Sequence, residues 1–151
     1  MWLLPKFYLQ LDFYVYRYGS NLDKKYLGID YGGKRIGLAT GNVELKIASP
    51  LATVAPHELE EAIKAAGPFE AVVVGLPRSL DGHDTPQTLA VRRFCDDHLW
   101  RKLRIEAVYQ DEAGSSSVAE SRLRESGRNY SKSDIDSEAA CIILQDYLDS
   151  L

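Results

Sequence analysis

Cysteine is scarce in this chain: only Cys95 and Cys141 occur in 151 residues, and neither has another Cys at metal-ligand spacing. That excludes a disulfide-stapled scaffold and a Cys/His zinc site. Both are read as buried thiols in a reducing cytoplasm. An excess of positive charge is also missing, since 18 Lys and Arg stand against 22 Asp and Glu for a formal net charge of -4. This argues against a generally basic surface for nucleic acid, but leaves room for a local stripe of Lys and Arg beside an acidic centre. Long apolar runs are lacking as well. Pro5, Lys6 and Asp12 interrupt the N-terminal stretch, no small-residue cleavage site follows it, and no transmembrane span is found. With no repeat, low-complexity tract or linker, and with ordinary fractions of hydrophobic and charged residues, the sequence reads as one soluble domain.

What is present is periodicity. In residues 1–25, Phe7, Leu9, Leu11, Phe13 and Val15 alternate with polar or tyrosine positions, which reads either as an added edge strand, inviting pairing into a homodimer, or as an extension loosely attached or packed only against a neighbouring chain. The main domain is expected over 26–151. Strands are predicted at Tyr26 to Asp30, near Arg35 to Thr40, and at Leu45 to Ser49, the last ended by Pro50. A helix is expected from Pro56 to Ala66, a central strand at Ala71 to Leu76, and a helix capped at Thr85-Pro86 carrying Leu89, Val91, Phe94 and Leu99. A strand ending at Asp111-Glu112, a helix capped by Ser115 to Ser117, and a final helix from near Ser133 complete the order. Three antiparallel strands followed by alternating helices and strands imply an α/β fold, a mixed sheet covered by helices.

Acids stand where such a sheet gathers ligands. Asp30 ends the first strand in LGIDYGGKRIGLAT, where it either braces the Gly32-Gly33 turn or binds a metal. Asp111 and Glu112 close a later strand and point to opposite sides, so only one easily joins Asp30. Asp136 shares a helix face with Ala139, Ala140 and Ile143, whereas Asp134, Glu138 and Asp146 are free to face water. The plainer alternative for Asp136 is a helix-start acid favoured by the dipole. Acids from three elements can hold Mg²⁺ or Mn²⁺ through oxygen for phosphoryl displacement. Lys34, Arg35, Arg78, Arg128 and Lys132, with Arg122 and Arg124, are candidate substrate-binding residues at a phosphate rim, and ordinary solvated charge is the alternative. Arg92-Arg93 reads as a solvent face. His57, His83 and His98 read as solvated, with His83 the nearest to substrate.

GIDYGGKRIGLA, VVVGLPRSLDG, the Asp111-Glu112 pair and IDSEAACIILQDYLDS together resemble the YqgF family, also called RuvX or Holliday junction resolvase-like, over Tyr26 to Leu151. The resemblance implies an RNase H-like fold, a magnesium-dependent nuclease and trimming of the 5′ end of the 16S ribosomal RNA precursor, with junction resolution as the alternative. It makes Asp30, Glu112 and Asp136 the catalytic and metal-binding acids, and RNA or branched DNA the partner. One departure stands out: where the family has an Arg followed by a Leu-Thr-Thr or Leu-Ser-Thr run, this chain reads Ala113-Gly114-Ser115-Ser116-Ser117. The missing Arg removes a phosphate or carboxylate partner. A non-catalytic nucleic-acid or ribosome-assembly module is therefore a competing reading. An actin-like or sugar-kinase ATP-binding domain would need a second lobe for which this length has no room.

Overall fold

The computed structural model describes residues 24–112 and 114–151, and the strand expected over Phe7 to Val15 lies outside them. Alternating apolar residues form β1 (Lys25–Tyr31), and a tight turn, with Gly33 at φ +82°, leads into β2 (Ile36–Asn42). The chain continues through β3 (Ile47–Val54), a 3-10 turn (Pro56–Glu58), α1 (Leu59–Ala66) and β4 (Ala71–Pro77). Then come α2 (Pro86–Phe94), extended by a π-helical stretch (Cys95–Trp100) and a short turn (Arg101–Leu103), and β5 (Ala107–Glu112), α3 (Ser115–Glu125) and α4 (Lys132–Ser150). The sheet order is β3-β2-β1-β4-β5, antiparallel from β3 to β1 and parallel from β1 to β5. This is the mixed α/β sheet that the order of elements and the RNase H-like resemblance implied. Among the described residues, no helix is long and apolar enough to cross a membrane.

Each face of the sheet has its own core. Leu27, Ile29, Leu38, Val72, Val74 and Leu76 pack against Leu59, Ile63, Val91, Phe94 and Leu99 from α1, α2 and its extension. On the other face, Ala39 and Val73 meet Ala140, Ile143, Leu144 and Leu148 of α4. Strand β4 supplies both cores, which is why its sequence is uniformly apolar. Helix α4 lies close to the sheet because small residues line its path: a Cβ at Gly28 would stand 2.8 Å from the Ala140 carbonyl oxygen. Gln145 ties α4 to the sheet edge, accepting from the Ala48 N–H at 2.9 Å and donating to the Lys46 carbonyl at 2.8 Å.

Several local expectations need correction. Pro50 does not end a strand: β3 runs through it, with Leu51 as the extra residue of a bulge between the Leu38–Ala52 and Ala39–Pro50 pairs. An edge strand at a bulge tolerates the missing N–H. Leu89 faces solvent, while Thr88 is buried in its place and accepts from the Thr85 N–H at 2.9 Å in a reciprocal cap. The serines after β5 do not cap α3, since Gly114 is the N-cap, in the left-handed region at φ +67°. His98 is not simply solvated: it stacks on Phe94, ring centres 5.4 Å apart, with Nδ1 buried. Nor is Arg92 mere solvent face, because it lies 5.2 Å from the centre of the Tyr109 ring. Both cysteines are free and buried, and burial pushes each thiol up to about 11.

Candidate active site

Because β1, β4 and β5 are parallel, Asp30, Pro77 and Glu112 come at the same end of the sheet. The start of α4 is held over this end. Ser131 caps it, accepting from the Asp134 N–H at 3.3 Å, and the Thr53 hydroxyl donates to the Ser133 carbonyl at 2.6 Å. Asp30 pairs across the β1–β2 ladder with Gly37, and a methyl group at Gly37 would overlap the Asp136 backbone carbonyl. Glycine at 37 thus lets the second turn of α4 settle beside Asp30.

Burial, reinforced by Glu112 and then Asp136, pushes the Asp30 carboxyl up from the ordinary carboxylate range to about 7. Of the two acids closing β5, Glu112 is the one turned towards α4 and Asp30. Its Oε2 lies 3.1 Å from where a Cβ on Gly75 would be, and Ile143 of α4 borders the same point. Asp111 has a 74% exposed side chain on the other side, 3.8 Å from Arg78. The Ser115 hydroxyl, buried at the start of α3, donates to Glu112 Oε1 at 2.7 Å. Sequence reasoning took Ser115 for a cap and missed this role, although its position three residues past an acid was a usable signal. Asp136 receives a hydrogen bond from Arg35 Nε at 2.5 Å.

The fit to a cation can be judged from these groups. An all-carboxylate set with one desolvated member suits a hard divalent ion such as Mg²⁺ or Mn²⁺, and a cation would remove the repulsion that Asp30 bears. Among the described residues, no three His, Cys, Asp or Glu side chains stand close enough together to hold a metal ion. Asp136 turns to Arg35 and Glu112 to Ser115, so the three carboxylates expected to share a cation are not drawn into one cluster here.

The predicted basic residues separate into two groups. Arg35 is committed to Asp136, and Arg78 lies 3.9 Å from Asp84 as well as near Asp111. Arg122 pairs at 3.5 Å with Glu138, which consequently faces α3 rather than open water, and Arg124 pairs with Glu120. Lys34, Arg128 and Lys132 are exposed, without an ion-pair partner among the described residues. Arg78, Ser79, Leu80, Asp111, Glu112 and Gly114 border a groove of about 560 Å³ that opens beside the acids. His83 sits in the loop of that groove, highly exposed and 3.5 Å from Asp81.

A mixed sheet with Asp30 and Glu112 at the ends of its parallel strands, and Lys and Arg around them, accompanies membership of a nuclease and resolvase family, a class of phosphodiester hydrolase. The chain belongs to the RuvX family, whose model, described as Holliday junction resolvase, matches residues 24–150. A candidate pre-16S rRNA nuclease of Chloroflexus aggregans is 42% identical over 132 residues, covering 82% of this chain and 92% of the relative. Another, of Paraburkholderia phymatum, is 38% identical over 131 residues, covering 83% and 85%. A solved structure of T. thermophilus RuvC in complex with a Holliday junction substrate aligns at 16% identity and TM-score 0.48, covering 83% of this chain and 94% of that one.

Proposed function

We propose that this chain is a magnesium- or manganese-dependent nuclease of the cytoplasm that cuts the 5′ extension of the 16S ribosomal RNA precursor. The observation that carries the reading is Asp30: a half-buried carboxyl at a strand end, with the charges of Glu112 and Asp136 nearby, is a costly arrangement that makes sense if a cation sits there. Asp30, Glu112 and Asp136 would hold that cation, which when bound supplies an activated water and stabilises the leaving oxygen. The chain's own groups do the rest. Ser115 fixes the direction of Glu112, Gly75 and Gly37 make room for Glu112 and for α4, and Arg35 balances Asp136. Arg78, Lys34, Arg128 and Lys132 position phosphates on either side of the acids. The relatives' names support an RNA substrate.

The family description keeps a second reading open, cleavage of a four-way DNA junction. The departure over residues 113–117 favours a non-catalytic module less than the bare sequence implied, since Ser115 holds Glu112 in place. The test is incubation with Mg²⁺ and either a 5′-extended 16S precursor fragment or a synthetic four-way junction, with EDTA and Asp30→Asn as controls. RNA trimming that EDTA and Asp30→Asn both abolish is expected. Binding with no cleavage of either substrate would reject the enzyme.

A further inference from the structure

A second recess lies on the opposite face of β5 from Glu112. It measures about 390 Å³, and Cys95, Asp96, Trp100, Ile105, Glu106 and Tyr109 form its walls. Two aromatic rings stand open here, with Trp100 50% and Tyr109 36% exposed. Each has a guanidinium beside it: Arg92 lies 5.2 Å from the Tyr109 ring centre and Arg104 5.8 Å from that of Trp100. Asp96 and Glu106 have no ion-pair or hydrogen-bond partner among the described residues, so their oxygens are available as acceptors. Two carboxylates repel a phosphate, and two aromatic walls attract a flat ring. The combination selects a planar group with N–H donors at its edge, flanked by negative charge that the arginines can meet. A nucleobase bearing an amino group, on its own phosphate backbone, has that chemistry.

The recess is also connected to the groove at the acids. Arg92 lies 3.7 Å from Asp84, Asp84 3.9 Å from Arg78, and Arg78 3.8 Å from Asp111, next to Glu112. Tyr109 precedes Glu112 by three residues of strand, about 10 Å. We infer that the recess between Trp100 and Tyr109 binds an unpaired, amino-bearing nucleobase of the substrate strand, a short distance along the backbone from the bond that is cut. The strand crosses the β5 edge on Arg78 and Arg92, its base stacks on the exposed rings, and Glu106 and Asp96 accept from the amino group. The nature of the partner rests on the proposed nuclease function, but the test below does not depend on cleavage.

Trp100 reports on its own site. In the full chain carrying Trp2→Phe, Trp100 is the remaining tryptophan. Titration in EDTA with single-stranded oligocytidylate and oligouridylate should quench its emission saturably. Cytosine donates from its amino group where uracil presents a carbonyl, so affinity should be about tenfold higher for oligocytidylate. Glu106→Gln should lower that preference, because its amide can also turn N–H₂ to the uracil carbonyl, while leaving the fold intact. In cleavage assays, Trp100→Leu should raise KM about tenfold at unchanged kcat, since base stacking is lost away from the reacting atoms. Absent quenching, or equal quenching by both oligonucleotides, would overturn the inference, and cleavage accompanied by either result would leave the nuclease standing alone. Cytosine-selective quenching in a protein that cleaves nothing would support the recess and sink the nuclease.

Discussion

Replacing Asp30 with Asn should make the metal-free protein more stable, and only in a defined pH range. In the unfolded chain the Asp30 carboxyl ionises near its ordinary value of 3.8, whereas in the fold burial and the neighbouring acids move it to about 7. Between those values the folded state holds a proton that the unfolded state has released. Stability therefore falls as pH rises from about 4 to about 7, and the loss is constant above that. The full separation corresponds to roughly 4 kcal/mol. Asn keeps the shape and removes the charge, so at pH 8 in EDTA a gain of about 2 to 4 kcal/mol is expected, shrinking towards zero near pH 4. Urea unfolding of both proteins across this range gives the difference directly, with titrating groups remote from Asp30 cancelling. A difference that does not change with pH, or a mutant less stable at pH 8, would refute the claim that Asp30 is held charged against its surroundings.

Three further changes probe the same end of the sheet. Gly37→Ala should cost about 1 to 3 kcal/mol or more, because the new methyl meets the Asp136 backbone carbonyl rather than a side chain that can swing away; an unchanged urea midpoint would contradict the close seating of α4. Asp136→Asn should lose cleavage with stability altered by less than about 1 kcal/mol, the partly exposed Arg35 pair being lost while repulsion on Asp30 is relieved; a mutant less stable but fully active would remove Asp136 from the site. Arg78→Ala should weaken substrate binding and lower the salt-dependence slope by about one. An unaltered slope would show that Arg78 serves Asp84 and Asp111 alone.

The topology was legible because it is written in short-range patterns. The apolar run of β4, the glycine turn after Asp30 and the Thr85 start of α2 each follow from local backbone chemistry, whereas α4 starts from its cap Ser131 rather than near Ser133. Asp30, Glu112 and Asp136 stood out in the sequence as strand-end and helix-face exceptions to those patterns. What the sequence hid depends on contacts distant along the chain. Asp111 and Glu112 look equivalent until β5 is registered beside β4 and α4 covers one side. Arg35 and Asp136 are 101 residues apart, so their pairing could not be read from spacing. The continuation of β3 through Pro50 depends on its place at the sheet edge, a property of the assembled sheet alone. Trp100 and Tyr109 likewise come together only because the π-helical stretch after α2 packs against β5.

The most direct test of the acid centre compares the wild type with Asp30→Asn, Glu112→Gln and Asp136→Asn on a 5′-extended 16S precursor fragment, with Mg²⁺ titrated into EDTA-treated protein. Cleavage that depends on Mg²⁺ in the wild type and falls at least a hundredfold in each variant, with all four proteins folded, is the predicted result. Full cleavage by any of the three, or wild-type cleavage indifferent to EDTA, would contradict a cation held by Asp30, Glu112 and Asp136.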